Sequence, residues 1–137
     1  MSQTAAVPST RAFLAYSFAD AQIAGEVTHL LKRIIRDIEI WTPDSFVKPG
    51  TDWSQSVREA LHDCDLFVLL LSPGSATSPN LRFELGAAWG LRKNIVAITT
   101  NENVALPVDV QGVPYLSLDE VRKGPDRLAN LIRKSRA

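Results

Sequence analysis

The sequence lacks the features that mark several common classes of protein. It contains one cysteine, Cys64, so the chain has no internal disulfide and no CxxC metal spacing. Its 15 Lys and Arg residues balance its 15 Asp and Glu residues, so it has no general basic field that would attract nucleic acid. The longest apolar run, Leu66 to Leu71, is far too short to cross a bilayer. We therefore expect a cytoplasmic protein with no metal, no membrane contact and no direct nucleic-acid binding.

The familiar nucleotide-binding and hydrolase motifs are also missing. There is no GxGxxG or GxxxxGK[ST] loop for phosphates and no GxSxG elbow for a nucleophilic serine. The two histidines, His29 and His62, lie in predicted helices, where a solvated side chain is the ordinary role. A Ser-His-Asp mechanism therefore has little support.

What the sequence does contain is an alternation of apolar runs and helical patterns. The runs predict strands at residues 12–16, 38–42, 65–72, 94–99 and 115–118. Helical spacing predicts helices at about 20–37, 51–63, 79–91 and 119–135, with Asp20 capping the first. The run DLFVLLLS is uninterrupted, as in strands buried on both faces of a parallel sheet. An α/β sandwich in one domain, residues 11–137, is predicted, and residues 1–10 are interpreted as a disordered tail without the pattern of a signal peptide.

Ligands of such sheets bind at the carboxyl ends of the strands. The segments that follow the first four predicted strands are residues 16–20, 42–50, 72–80 and 100–107. The second contains PDSFVKPG, Pro43 to Gly50, a loop rich in proline that is longer than a minimal connection. These segments are where a site is expected.

One residue of the third predicted helix, Glu84, is unusual for its surroundings. Ser78 suits the N-cap and Pro79 the first helical position, which places Glu84 in the second turn. Asn80 and Ala88 share its face, and the spacing offers it no ion-pair partner on the helix. The small residues after it, Gly86, Ala87, Ala88 and Gly90, predict a helix that approaches the sheet closely. On spacing alone, a solvated glutamate or one paired with a distant arginine remains the commoner interpretation.

Four stretches together resemble the TIR (Toll/interleukin-1 receptor) domain, most closely in its bacterial form. They are FLAYSFADAQIA, IEIWTPDSFVKPGTDWSQSVREAL, CDLFVLLLSPGSATSPNLRFELGAAWGLRKNIVAI and LPVDVQGVPYLSL. The resemblance covers residues 11–135. It implies a flavodoxin-like sandwich with a five-stranded parallel sheet in the order 2-1-3-4-5.

The resemblance also implies an activity and a catalytic residue. Catalytic members of the family cleave the nicotinamide–ribose bond of NAD⁺, and their glutamate lies in an S.....E motif that Ser78 and Glu84 match. The implied substrate-binding residues are Ser17, Phe18, Lys48, Trp53, Ser78 and Asn80. Trp53 would stack on a ring of the nucleotide and Lys48 would meet phosphate. Asn80 replaces the tryptophan that the family often carries there, and Ala15 replaces a serine.

We therefore expect an NAD⁺ glycohydrolase that acts in bacterial immunity or stress, with NAD⁺ as substrate and no cofactor. Self-association through the BB loop, Pro43 to Gly50, and attachment to other domains are the expected partnerships. Two alternatives stay open. One is a non-catalytic TIR–TIR interaction module, and the other is a nucleotide-binding or nucleoside deoxyribosyltransferase-like protein. Whether the product is linear or cyclic ADP-ribose is left open.

Overall fold

The chain folds around a central parallel sheet in the computed structural model. The structure describes residues 10–42, 53–75, 78–101, 104 and 112–135, apart from the side chains of residues 53 and 54. The strands run in the order β2-β1-β3-β4-β5, and every neighbouring pair is parallel. Their bounds are β1 Thr10–Ala15, β2 Ile38–Trp41, β3 Leu66–Leu71, β4 Asn94–Thr99 and β5 Tyr115–Ser117. The predicted fold and strand order are confirmed.

Helices cover both faces of this sheet. They are α1 Ala21–Ile34, α2 Trp53–Asp63, α3 Pro79–Gly90, α4 Leu118–Lys123 and α5 Pro125–Ser135. The buried residues of α1, α4 and α5 join the core on one face, whereas those of α2 and α3 join the core on the other. The result is a three-layer sandwich, because a sheet apolar on both faces must be covered on both.

The central strand, β3, is the most buried strand of the sheet, and aromatic rings connect it to its neighbours on one side. All six residues of β3 are buried, as its unbroken apolar run predicts. On the α2 and α3 face, Phe13 of β1 stacks on Phe67 of β3 and on Trp41 of β2, with ring centroids 5.4 and 4.7 Å apart. These aromatics are also register partners across the strands. The row of rings therefore links three neighbouring strands and fixes their alignment.

The predicted closing helix, residues 119–135, is wrong as a single element. The structure has two helices, α4 and α5, separated at Gly124. Gly124 has φ −147° and ψ 80°, away from helical values. Pro125 supplies the reason, because a proline lacks the N–H that a continuous helix requires and pushes the residue before it out of the helical region.

The first strand also differs from its predicted bounds. It begins at Thr10, which takes the last residue of the predicted tail into the sheet, and it ends at Ala15 rather than Tyr16. Residues 1–9 lie outside the described residues. The sequence did not predict this early start because the charge of Arg11 interrupts the apolar pattern. In the structure, the Arg11 backbone N–H donates to Asp65 Oδ2 at 2.9 Å.

The topology creates a crevice between β1 and β3. From β1 the chain returns to the sheet at β2, on one side, whereas from β3 it returns at β4, on the other. The loops after β1 and β3 therefore diverge, and in sheets of this kind ligands bind where they do so. None of the helices that the structure describes has the length and hydropathy needed to cross a membrane.

Candidate active site

Glu84 lies on the buried face of α3. The buried residues of this helix are Leu81, Glu84, Leu85 and Ala88, and their spacing defines one helical stripe. The three apolar members pack with β3 and β4 residues in the core on that face. The side chain of Glu84 is only 2% exposed. The helix thus carries a carboxyl group into the layer that packs against the sheet.

The electrostatic setting of Glu84 is dominated by its burial. Loss of water raises the pKa of its carboxyl from 4.5 to about 7, because an apolar surrounding disfavours the charged form. No hydrogen bond or ion pair to this carboxyl is found within the part of the chain that the structure describes. The interpretation of Glu84 as an ordinary solvated or ion-paired residue is therefore wrong for the described structure. A buried carboxyl with a pKa near neutrality is typical of a functional group.

The small residues after Glu84 do not play the predicted part. Gly86 and Gly90 are exposed, and a Cβ added at either position would meet nothing within 4 Å. The two glycines therefore do not contribute to the predicted close approach, whereas Ala88 is fully buried and Ala87 is partly buried against the same core. Asn80 is exposed, although its spacing placed it on the face of Glu84. The buried stripe of α3 begins at the next residue, Leu81.

The start of α3 matches its prediction. Ser78 is the N-cap, and its hydroxyl accepts the Leu81 backbone N–H at 3.5 Å, with Pro79 at the first helical position. The cap satisfies one of the N–H groups that a helix leaves unpaired at its start. Ser78 thereby stabilises the start of the helix that carries Glu84.

The other predicted binding residues fall at the carboxyl end of the sheet where the structure describes them. Ser17 is half-buried and precedes a 3-10 turn, Phe18–Asp20, while Phe18 is 84% exposed and free to meet a ligand. Trp53 begins α2, but its side chain is outside the described residues, as are Lys48 and the whole of the Pro43–Gly50 loop. The structure therefore places Ser17 and Phe18 at the exit of β1 and Glu84 on the helix that follows β3.

Three polar residues at this end of the sheet lie in the expected segments 16–20 and 72–80 but were not predicted to be site residues. Asp20, Ser72 and Ser75 are all buried. Asp20 occupies the N-cap position of α1 as predicted, but its side chain makes no cap bond and instead accepts the Ser72 hydroxyl at 2.7 Å. The sequence contained a signal for this pair, because Asp20 and Ser72 each lie in a segment that follows a predicted strand. Their pairing depends on the contact between β1 and β3, which local spacing does not reveal.

A cavity of about 370 Å³ lies elsewhere, at the amino end of the sheet beside β2 and α2. Arg11, Glu39, Glu59 and Cys64 contribute to its lining. Burial raises the pKa of the Cys64 thiol to about 11, so this sulfur is protonated and a poor nucleophile at neutral pH. None of the predicted site residues that the structure describes lines this cavity, and we do not assign it to the site.

The described residues contain no cluster of three or more His, Cys, Asp and Glu side chains placed to hold a metal ion. At the carboxyl end of the sheet, the described residues offer two buried carboxyl groups, Glu84 without a described partner and Asp20 bonded to Ser72, together with the hydroxyls of Ser72 and Ser75 and the exposed ring of Phe18.

Comparison with known families gives a match over most of the chain. The sequence model of the TIR domain matches residues 12–132. No curated protein shows significant sequence similarity to the chain.

Several solved structures have a similar fold. The TIR domain of the Toll-related receptor TRR-2 from Hydra magnipapillata superimposes with a TM-score of 0.71 at 19% identity, covering 92% of this chain and 98% of the receptor domain. A 2-deoxyribosyltransferase from Bacillus psychrosaccharolyticus gives 0.65 at 13% identity, with coverage of 83% and 90%. The CMP N-glycosidase BcmB from Clostridium botulinum gives 0.61 at 21% identity, with coverage of 87% and 98%. At these identities the similarity concerns the fold.

Proposed function

Because the chain belongs to the TIR-domain family, we propose that it hydrolyses NAD⁺ at the nicotinamide–ribose bond with Glu84 as the catalytic residue. The observation that carries the proposal is the placement of Glu84. Its carboxyl is buried, has no described partner and lies on the helix that follows β3. Keeping an unpaired carboxyl in such a place costs free energy, which a structural role does not explain.

The chemistry of NAD⁺ suits a single carboxylate. The bond between the ribose C1′ and the nicotinamide nitrogen breaks, and its electron pair neutralises the pyridinium ring. Nicotinamide therefore leaves without being protonated. The ribose gains oxocarbenium character, which a nearby carboxylate stabilises. Water then adds to C1′ and loses a proton, giving ADP-ribose. No acid is required, in contrast to glycosidases that expel an alkoxide.

The raised pKa of Glu84 is compatible with this role. At neutral pH, a carboxyl with a pKa of about 7 is ionised in a substantial fraction of molecules. The positively charged nicotinamide ring of a bound substrate would favour the ionised form further, because an opposite charge nearby lowers the pKa of a carboxyl. Binding of the substrate thus helps to create the catalytic state of Glu84.

Phe18 and Ser17 complete the proposed binding surface from the β1 side. The exposed ring of Phe18 offers a face for stacking, and Ser17 offers a hydroxyl to the ribose or a phosphate. On the basis of the resemblance to catalytic TIR domains, we also propose four further substrate-binding residues: Trp53, Lys48, Ser78 and Asn80. NAD⁺ is the substrate in this proposal, with no cofactor. We further propose self-association with a contribution from the BB loop.

Cleavage of a nucleoside or nucleotide is the second candidate, and two fold neighbours favour it. One is described as a 2-deoxyribosyltransferase and the other as a CMP N-glycosidase. Both names concern a bond between a sugar and a nitrogen base. In such a reaction Glu84 would act on the same anomeric carbon, but the leaving group would be a nucleobase.

Release of nicotinamide from NAD⁺ by concentrated or artificially clustered protein tests the proposal. Glu84→Gln should lower the rate about 100-fold or more, the size of effect seen when one group that stabilises a transition-state charge is removed. Glu59→Gln is the matched control, because it makes the same change on an exposed residue of α2, and it should leave the rate unchanged.

The alternatives give different results in the same assay. Release of free base from deoxynucleosides or CMP, without nicotinamide release, would replace the first candidate by the second. Absence of any cleavage, with self-association intact and insensitive to Glu84→Gln, would contradict both and support a non-catalytic interaction module.

A further inference from the structure

A path of hydrogen bonds crosses the crevice between β1 and β3. On the β3 side, the Ser72 hydroxyl donates to Asp20 Oδ2 at 2.7 Å. On the β1 side, the Asp20 backbone N–H donates to the Ser17 carbonyl at 2.8 Å. Asp20 therefore joins the turn that carries Ser17 and Phe18 to the residue that ends β3. This contact spans 52 residues of sequence.

The path continues from Ser72 to the start of α3. The Ser72 backbone N–H donates to Ser75 Oγ at 2.8 Å, and the Ser75 backbone N–H donates to Ser72 Oγ at 3.2 Å. The Ser78 backbone N–H then donates to the Ser75 carbonyl at 2.9 Å. Ser78 is the N-cap of α3, so the path ends six residues before Glu84.

This connection links two layers that pack on opposite faces of the sheet. The buried residues of α1 belong to the core on one face, and those of α3 belong to the core on the other. The core on the α3 face contains Ala15, the last residue of β1, and Leu81 of the first turn of α3, but neither core includes the turn Phe18–Asp20 or the loop residues Ser72 and Ser75. The bond between Asp20 and Ser72 joins the two loops directly, and both residues are buried. Buried hydrogen bonds of this kind have one well-defined geometry.

We propose that Asp20 is a positioning residue, which acts through Ser72 and Ser75 to hold Glu84 in register with the substrate-facing turn at Ser17 and Phe18. The inference rests on the proposed function and adds residues to its site. Asp20 does not touch the reacting atoms. Its effect is on the geometry between the carboxylate on α3 and the ribose held from the β1 side, and displacements of about 1 Å can cost about 100-fold in rate.

The test compares nicotinamide release by Asp20→Ala, Asp20→Asn and Ser72→Ala. Asp20→Ala and Ser72→Ala should each lower kcat about tenfold or more and change KM less than about threefold, because reactive alignment is lost more than binding. Asp20→Asn should recover most of the rate, since its amide oxygen still accepts from Ser72. The double variant Asp20→Ala with Ser72→Ala should be no worse than Ser72→Ala alone, because Ser72→Ala already removes the bond to Asp20.

Asp65→Ala is the matched control for a lost carboxyl contact. Asp65 Oδ2 accepts the Arg11 backbone N–H at 2.9 Å at the amino end of the sheet, so its removal should leave kcat unchanged. Unchanged kcat in folded Asp20→Ala and Ser72→Ala, or an equal fall in Asp65→Ala, would overturn the proposal. If Asp20→Ala fails to fold, the kcat of Ser72→Ala tests the proposal instead, because this variant removes the same bond from its other partner.

Hydrogen exchange separates this proposal from the proposed function. The Leu81 and Arg82 amides, which donate to Ser78, should exchange faster in Asp20→Ala and Ser72→Ala but not in Asp65→Ala. This result would support the path even if the wild-type protein released no nicotinamide. Unchanged exchange at these amides in both crevice variants would contradict the path itself.

Discussion

Two glutamates near the starts of two helices, Glu84 on α3 and Glu120 on α4, differ in burial, in hydrogen bonding and in pKa. α3 and α4 each begin after a serine whose hydroxyl accepts a backbone N–H, Ser78 and Ser117 respectively. On α4 the third helical residue is Glu120, which accepts the Ser117 backbone N–H at 3.0 Å and completes a capping box. On α3 the glutamate comes one turn later, at Glu84, where it turns into the packed layer and has no described partner.

The pKa values of the two carboxyls diverge accordingly. Hydrogen bonding to the backbone of Ser117 lowers the pKa of Glu120, whereas burial raises the pKa of Glu84 to about 7. A glutamate near the start of a helix can therefore have two opposite effects on stability, depending on its position. Placed in the cap, a glutamate stabilises the fold. Placed one turn further along and against the sheet, it destabilises the fold and becomes available for chemistry.

The largest effect expected from this contrast is on stability as a function of pH. The folded-state pKa of Glu84 lies above its unfolded value, so between pH 4.5 and 7 this carboxyl binds more protons in the folded protein than in the unfolded chain. The contribution of Glu84 to stability should therefore fall as pH rises through this window. At about 1.4 kcal/mol per pKa unit, the fall attributable to Glu84 is about 3 kcal/mol.

Urea unfolding at a series of pH values checks this expectation. Glu84→Gln should lack most of the fall between pH 4.5 and 7, whereas Glu59→Gln should retain it. Parallel stability curves for wild type and Glu84→Gln would show that the carboxyl is not buried in the way the structure describes.

The two helix caps should differ in strength by a smaller amount. Ser117 takes part in two reciprocal bonds, of 3.0 and 3.1 Å, whereas Ser78 accepts one of 3.5 Å. Ser117→Ala should cost about 1 kcal/mol of unfolding free energy and Ser78→Ala about 0.5 kcal/mol. Thermal or urea unfolding of both variants measures the difference, and a larger loss for Ser78→Ala would reverse the predicted ranking of the caps.

The smallest effect concerns Glu120 itself, and its sign is opposite to that of Glu84. Because the folded-state pKa of Glu120 is lowered, its ionised form contributes stability that is present above about pH 4.5 and is lost as pH falls through the folded-state pKa. Glu120→Gln should flatten the acid limb of the stability curve and leave the slope between pH 5 and 7 as in wild type, at a slightly lower stability. An acid limb of unchanged slope would count against a role for the Glu120 charge.

The sequence predicted much of the architecture because its periodic signals are strong. The unbroken run of β3 predicted a buried central strand, and Ser78 with Pro79 predicted the start of α3. The failures have local causes. Pro125 divides the closing helix, and the charge of Arg11 hides the start of β1.

The candidate site was less accessible to sequence reasoning. The spacing of Leu81, Leu85 and Ala88 around Glu84 already contained the buried stripe, but spacing does not show which side of a helix with apolar residues all round faces the sheet. Gly86 and Gly90 were therefore assigned to the wrong face. The contact between Asp20 and Ser72 depends on β1 lying beside β3, and such a long-range pairing leaves no trace in neighbouring residues. Lys48 and the side chain of Trp53 stay predictions.

The pH dependence of kcat/KM for nicotinamide release from NAD⁺ tests the central claim most directly, since it reports the ionisation of essential groups in the free enzyme. If an ionised Glu84 stabilises the ribosyl cation, kcat/KM should rise with pH through an inflection near 7, the pKa that burial gives this carboxyl. A profile that is flat between pH 5 and 9, or an inflection near the ordinary value of 4.5, would contradict the assignment of Glu84 as the buried catalytic carboxylate.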